Sequence, residues 1–359
     1  MATHFYPLSI QHIEQLTTDS VAITFAVPEA LLATFAYKAG QNITLRTHID
    51  GDEVRRSYSI CTAPHENKLT IAVKKVENGL FSTYANKHLK IADVIDVMPP
   101  TGNFSIKTNT GNYLGIASGS GITPIMGIIK HVLHTQPNSS FTLLYGNKNR
   151  SSIIFFEALT ALKNTYMQRF NYINVLSREH TDSTINYGRI DTEKLAALQA
   201  TIPYASYTHA YLCGPQQMIF TCADYLATQG IAKNNIHFEL FGSVEKKPIV
   251  QQHILQPTLQ STPGEQLSQI IIRLDGRSTS FTLSGQGQSI LTAALEYGAD
   301  LPFACKAGVC CTCRAKLIEG KVTMDVNYAL EADELAQGFI LTCQSHPLTP
   351  TVVIDFDVK

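Results

Sequence analysis

The chain reads as multidomain: an antiparallel β-barrel, then a doubly wound α/β domain, then a small α+β domain. Three observations carry this. Short, β-branched segments follow one another closely over residues 1–108. Strands alternate with helices over 109–243. A stretch rich in Gln, Ser, Thr and Pro, 244–268, reads as a linker to a last module, 269–359.

Composition allows this. Of 359 residues, 44% are hydrophobic and only 16% charged, which suits packed cores and excludes a polyelectrolyte chain. A net charge of −1 offers no case for nucleic-acid binding. No run of 18 apolar residues is present, so no membrane span is expected. The start, MATHFYPLSIQHIEQL, lacks the basic and apolar regions of a signal peptide, and a cytoplasmic protein is expected.

In the first domain, 21–27, 43–49, 54–60, 69–76 and 91–97 read as strands. Pro28, Asn78-Gly79 and Pro99-Pro100 punctuate them. In the second, 113–118, 141–145, 172–176, 208–212 and 236–240 read as strands. Helices are expected at 123–134, 153–164, 192–199 and 215–228. The third opens with IIIRL and SFTL. It continues through a helix at 289–297, a cysteine-rich loop, RAKLI, a short helix near 329–335 and a final strand pair.

Half of the eight cysteines lie within nine residues. Cys305, Cys310 and Cys313 are spaced C-x4-C-x2-C, and 29 residues separate Cys313 from Cys343. This is plant-type [2Fe–2S] spacing. A tight loop brings three thiolates together and a distant strand supplies the fourth. Ala304, Ala307, Gly308 and Thr312 are small enough for the loop to close in. Four-thiolate zinc sites usually show two C-x2-C knuckles, and only one is present. Cys311 is off the spacing and reads as a bystander.

Gly119-Ser120-Gly121-Ile122-Thr123-Pro124 follows a buried strand and opens a helix, where a pyrophosphate can rest on helix N-terminal N–H groups. The pattern is G-x-G-x-x-P, not the full dinucleotide fingerprint; a tight turn without ligand would look similar. After the strand ending at Tyr145 comes Gly146-Asn147-Lys148-Asn149-Arg150-Ser151. It lacks the acidic residue that binds a ribose hydroxyl, and Lys148, Arg150 and Ser151 favour a 2′-phosphate, hence NADPH over NADH. An ordinary solvated loop is the alternative. Cys213-Gly214-Pro215 ends a later strand. Cys213 lies near the nicotinamide on this reading, or is a small core residue on the other.

In Arg56-Ser57-Tyr58-Ser59, an arginine can clamp a pyrophosphate, a tyrosine can stack on an isoalloxazine and a serine can reach its N5 edge. Gly79-Leu80-Phe81-Ser82 opens a further helix, a second anion seat. With no Trp in the chain, Tyr58 and Phe241 are the expected aromatic walls. R-x-Y-S is also what a surface strand with one arginine looks like; its order before the G-x-G-x-x-P module gives it weight.

Together RSYS (56–59), NGLFS (78–82), GSGITP (119–124), YGNKNR (145–150), CGP (213–215) and CKAGVCCTC (305–313) with Cys343 resemble the ferredoxin–NADP reductase superfamily, in its form fused to a C-terminal plant-type ferredoxin. The resemblance covers nearly the whole chain. It implies a β-barrel flavin domain, a nicotinamide domain and a β-grasp ferredoxin domain. It implies FAD, although related reductases use FMN. Arg56, Tyr58, Ser59, Lys74, Gly79, Leu80 and Ser82 would bind the flavin. Gly119, Gly121, Pro124 and Gly214 would line the nicotinamide side, with Thr123 near both cofactors. Ser59, Cys213 and Glu239 would be the catalytic positions, with Phe241 against the flavin. It further implies a di-iron oxygenase as electron acceptor, or another oxygenase or a hybrid-cluster protein.

Three other functions suit parts of this sequence less well. An enzyme that itself oxygenates substrate would need metal-ligand pairs such as H-E-x-x-H, which are missing; His131 and His134 read as an exposed helix face. A redox sensor would need neither nucleotide loop. A docking scaffold could use Glu331, Asp333 and Glu334, which equally suit a solvated helix.

Overall fold

The structure is a computed structural model, and it describes residues 4–181, 183–241 and 267–358. It forms two compact units, Ala2–Phe241 and a second beginning at Gly242. Most of the expected linker, 244–266, lies outside the described residues, while Leu267 and Ser268 already belong to the first strand of the last module.

Six strands form the first sheet: β1 (Tyr6–Thr17), β2 (Ser20–Ala26), β3 (Asn42–Ile49), β4 (Asp52–Ser59), β5 (Leu69–Lys74) and β6 (Val94–Thr101). Their order is β4-β3-β6-β1-β2-β5, and every pair is antiparallel. An Ile60↔Ile71 bridge joins the end of β4 to β5 and closes the sheet into a barrel. Leu8, Ile10, Ile23, Ile43, Leu45, Ile71 and Val97 fill it. Strand β1 is additional to the five expected strands. Pro99 and Pro100 do not terminate a strand as expected. They lie inside β6 beside the register shift opposite Asn42–Thr44, where a missing N–H costs no ladder bond. Helix α1 (Leu80–Lys87) follows β5.

The α/β domain has β7 (Asn112–Ser118), α2 (Ile122–Thr135), β8 (Ser140–Asn147), α3 (Phe156–Thr165), β9 (Phe170–Leu176), α4 (Thr192–Leu198), β10 (His209–Gly214), α5 (Gln216–Thr228) and β11 (Ile236–Leu240). The order is β11-β10-β7-β8-β9, all parallel. β8 runs two residues past Tyr145, its expected end. Strand order reverses between β7 and β10, and a ligand crevice is expected beyond their C-terminal ends.

Helix α2 joins the two domains. Ile122, Ile125, Met126, Ile128, Ile129, Val132 and Leu133 are buried, in one core with Ala39 and Phe104 of the barrel side. Gly127 faces the barrel backbone: a Cβ there would stand 2.9 Å from the Thr62 carbonyl oxygen and 3.0 Å from that of Ile60. The Lys130 ammonium meets Glu66 at 2.9 Å across the same seam. His131, expected on an exposed face, is half-buried, because α2 is covered on this side too. His134 is exposed and stacks on His65 with 3.8 Å between ring centroids.

The second unit holds β12 (Leu267–Leu274), β13 (Arg277–Ser284), α6 (Ile290–Glu296), β14 (Arg314–Glu319), β15 (Val322–Met324), α7 (Ala332–Ala336), β16 (Phe339–Leu341), β17 (Ser345–Pro347) and β18 (Thr351–Asp355). Its main sheet, β13-β12-β18-β14-β16, has one parallel pair, β12 with β18. β15 and β17 form a separate ribbon. Helix α6 starts on Ser289, whose hydroxyl accepts from Thr292 N–H, and buries Ile290, Leu291, Ala293 and Ala294. This is the β-grasp arrangement. Among the described residues no helix is long and apolar enough to cross a membrane.

Two outcomes follow. Gly127→Val should force α2 off the barrel, lowering stability by about 1–3 kcal/mol, read as a lower thermal midpoint; an unchanged midpoint contradicts the seam. His237 contacts His209 at 3.1 Å, and burial, then the charge of His209 and of Lys107, lowers its pKa from 6.5 to about 4. The unfolded state therefore binds more protons between these values, and stability is fully present above pH 6.5 and lost as pH falls toward 4. His237→Phe should flatten the decline of the urea midpoint between about pH 7 and pH 5.

Candidate functional site

Chain reversal at the crevice comes from the expected glycines, for reasons the sequence did not carry. Gly119 adopts φ +54° and its carbonyl accepts from the Tyr145 hydroxyl at 2.8 Å. Gly121 lets the loop lie on the neighbouring strand: a Cβ would stand 2.0 Å from the Cys213 carbonyl oxygen. The close approach is thus to β10. Thr123 is buried and donates to Ser120 O at 3.0 Å, and Pro124 sits in the first turn of α2, where no N–H is missed. Cys213 is fully buried within the core, and burial, followed by the nearby Glu239 charge, pushes its thiol well up. Gly214 continues the strand beside it.

Ser59, Cys213 and Glu239 come together. Glu239 of β11 pairs in register with Cys213 of β10. The Ser59 hydroxyl, at the end of β4, donates to Glu239 Oε2 at 2.9 Å. Residues 180 positions apart thus meet where barrel and parallel sheet join. Phe241 follows the end of β11 and is 43% exposed.

On the barrel side, Tyr58 packs its ring 5.4 Å from that of Phe81, and burial raises its hydroxyl pKa. Arg56 is exposed and gives one N–H to the Arg55 carbonyl at 2.7 Å, which leaves other donors of its fork. Helix α1 opens at Gly79 with no side-chain cap. The left-handed residue of this turn is Asn78, φ +57°, and not the glycine. Ser82 turns inward, accepting from Val76 N–H at 3.1 Å and donating to Gly79 O at 3.3 Å, so its hydroxyl closes the turn. Lys74 lies 3.7 Å from Asp19. A cleft of about 640 Å³ opens at this helix end, lined in part by His48, Asp50, Gly79, Leu80, Tyr84 and His88. An uncapped helix start beside an open cleft fits the phosphates of a dinucleotide flavin.

After β8, Lys148 and Arg150 are exposed, and Ser151 donates to Asn149 Oδ1 at 3.1 Å. Two residues not foreseen join them from the end of β9. Arg178 gives its backbone N–H to Lys148 O at 2.8 Å, and Glu179 accepts from Arg150 N–H at 2.7 Å. An acidic group therefore does reach this loop, with its carboxylate engaged by the backbone. The run Ser177-Arg178-Glu179 directly after a strand end was the available signal.

In the second unit the four cysteines expected as ligands meet as two pairs. Cys310 Sγ lies 3.1 Å from Cys305 Sγ, and the Cys313 thiol donates a hydrogen bond to Cys343. In each pair the shared proton holds one thiol low, Cys305 and Cys343, and the other high, Cys310 and Cys313. The backbone N–H of Ala307 also reaches Cys305 Sγ at 3.3 Å. Among the described residues no three His, Cys, Asp or Glu side chains gather round a single ion. Two pairs are the donor set of a two-iron cluster, two thiolates to each iron, and the site fits that group. Cys311 points away and donates to Ala329 O at 3.1 Å. Glu334, considered for a docking patch, is buried and paired with Arg314.

Comparison with known proteins agrees. Residues 7–106 match the oxidoreductase FAD-binding domain, 116–224 the oxidoreductase NAD-binding domain and 272–348 the 2Fe-2S iron-sulfur cluster binding domain. The chain is 42% identical, over 99% of both lengths, to one component of the 1,2-phenylacetyl-CoA epoxidase of Escherichia coli (strain K12). It is 31% identical to the ferredoxin reductase component of the 3-ketosteroid-9-alpha-monooxygenase of Rhodococcus rhodochrous, over 97% of this chain and 96% of that one. In fold it is similar to phthalate dioxygenase reductase, with TM-score 0.59, 23% identity and 98% of both chains covered. It also matches an intact type IV self-sufficient cytochrome P450 monooxygenase, with TM-score 0.71 and 19% identity, over 98% of this chain and 41% of that longer one. The chain belongs to the family of three-domain ferredoxin reductase components, oxidoreductases that carry electrons from NAD(P)H through FAD to a [2Fe–2S] cluster.

Proposed function

We propose that this chain is the reductase of a di-iron oxygenase that epoxidises phenylacetyl-CoA, serves phenylacetate breakdown in the cytoplasm and draws its electrons from NADPH. The observation that carries the acceptor is full-length similarity to the epoxidase component, 42% identical, against 31% for the steroid-oxygenase reductase. A redox sensor would need no paired nucleotide sites, and this family has both.

The residues divide the work. Arg56 and the uncapped first turn of α1 at Gly79 and Leu80 hold the flavin pyrophosphate, with Lys74 at the edge of that site. Ser82 shapes the turn that presents these N–H groups. Tyr58 and Phe241 supply aromatic faces for the ring. Gly119, Gly121, Thr123, Pro124 and Gly214 form the floor on which the nicotinamide nucleotide lies, and Cys213 supports that floor from below. Ser59 and Glu239, already bonded, sit where the two rings meet, and Glu239 keeps the serine hydroxyl oriented. Lys148, Arg150, Ser151 and Arg178 surround a 2′-phosphate. Close stacking of two held rings supplies much of the rate. When bound, the cofactors convert a two-electron donor into single electrons near about −400 mV, low enough to drive an oxygenase. Cys305, Cys310, Cys313 and Cys343 hold the last carrier.

The relay is tested with Cys310→Ser. NADPH-dependent ferricyanide reduction should persist while cytochrome c reduction is lost; survival of both would reverse the proposed order. Arg150→Ala should raise KM for NADPH about tenfold, ~1.4 kcal/mol, and leave KM for NADH unchanged. Equal effects on both would remove the 2′-phosphate reading. Turnover of phenylacetyl-CoA when the purified reductase and its NADPH are mixed with the oxygenase tests the acceptor; turnover only with a steroid oxygenase would reassign it.

A further inference from the structure

The geometry points to Gln344 as a positioning residue for the iron–sulfur cluster, tying the Cys305–Cys310 loop to the fourth ligand and donating from its side-chain amide to the Cys343 sulfur. Gln344 is 8% exposed. Its amide nitrogen lies 3.1 Å from the Lys306 carbonyl, 3.0 Å from the Cys343 carbonyl and 3.5 Å from Cys343 Sγ. Three acceptors face one atom, which identifies that atom as the nitrogen and not the oxygen.

The loop needs such a tie. Lys306 stands at φ +52°, a left-handed conformation unfavourable for a side-chain-bearing residue, and Gln344 holds its carbonyl. The Gln344 stem also supports the next turn: a Cβ on Gly308, at φ +70°, would meet its Cγ at 3.1 Å. On the other flank of Cys343, Thr342 gives both its N–H, at 3.2 Å, and its hydroxyl, at 3.0 Å, to the carbonyl of Cys313. Each neighbour of Cys343 therefore fastens it to a different part of the ligand loop. Thr342 meets a backbone carbonyl and no ligand sulfur. Gln344 reaches a ligand sulfur, and N–H donation to a ligand sulfur favours the more negative, reduced cluster.

This rests on the chain holding a [2Fe–2S] cluster and not on which oxygenase it serves. Iron and sulfide analysis of the unaltered holoprotein comes first; without either, the electron relay fails, whatever Gln344 does. In Gln344→Met, which keeps length and loses the donor, the cluster midpoint potential should shift negative and iron release to a chelator should speed up several-fold. The flavin potential should not move. A wild-type cluster potential together with a wild-type release rate would overturn the assignment. Should Gln344→Met fail to load, the unaltered protein decides, labelled with ¹⁵N at the glutamine side-chain amide and reduced. A hyperfine coupling from that nitrogen supports the bond, and its absence rejects it.

Discussion

Helix α2 is covered by the parallel sheet on one side and by the barrel on the other, and both contacts demand backbone approach closer than a Cβ allows. At its start Gly121 lies on the Cys213 carbonyl; within it Gly127 lies on the carbonyls of Ile60 and Thr62. Glycine inside a helix costs about 1 kcal/mol relative to alanine, and here the packing of buried Ile125, Ile128, Ile129 and Val132 offsets it. Because the helix is fixed on both sides, the loop before it and the strand ends beside it are fixed too. Ser59 of the barrel can then reach Glu239 of the sheet at 2.9 Å. The nucleotide crevice is a consequence of that packing.

The second unit answers the same demand for precise backbone by different means. Its ligand loop contains a left-handed lysine and a left-handed glycine and has little regular structure of its own. Side chains from the strand ends hold it. Thr342 and Gln344 bracket Cys343, while buried Glu334 takes Arg314, the residue after Cys313. The guanidinium of Arg314 also lies 4.3 Å over the Phe339 ring. The four thiols are held in two pairs by these contacts, the donor arrangement that a two-iron cluster takes.

Legibility varied with the range of the signal. The α/β strands and helices were readable because buried parallel strands form continuous apolar runs between helices. Strand β1 was not. Its sequence, YPLSIQHIEQLT, alternates loosely with many polar positions, since much of one face is solvated. Two hairpins carried a strong unread cue: Asp50-Gly51 and Asp275-Gly276 each form a two-residue turn with both residues at positive φ. His131 was misread because an isolated helix does not reveal what covers it.

Local spacing by itself singled out the four cysteines that meet as two pairs, the order of the three domains and the glycine turns proposed for the two nucleotides. Each is written in residues close along the chain, and a loop's reach is limited by its length. Only the tertiary structure decided that Ser59 bonds Glu239, that Arg178 joins Lys148 and Arg150, that Cys213 faces the core and that Gln344 lies against Cys343 sulfur. Even for Gln344, beside its ligand in sequence, the backbone conformation around Cys343 aims the side chain. Contacts between distant residues depend on strand register and helix packing, which no short window of sequence contains.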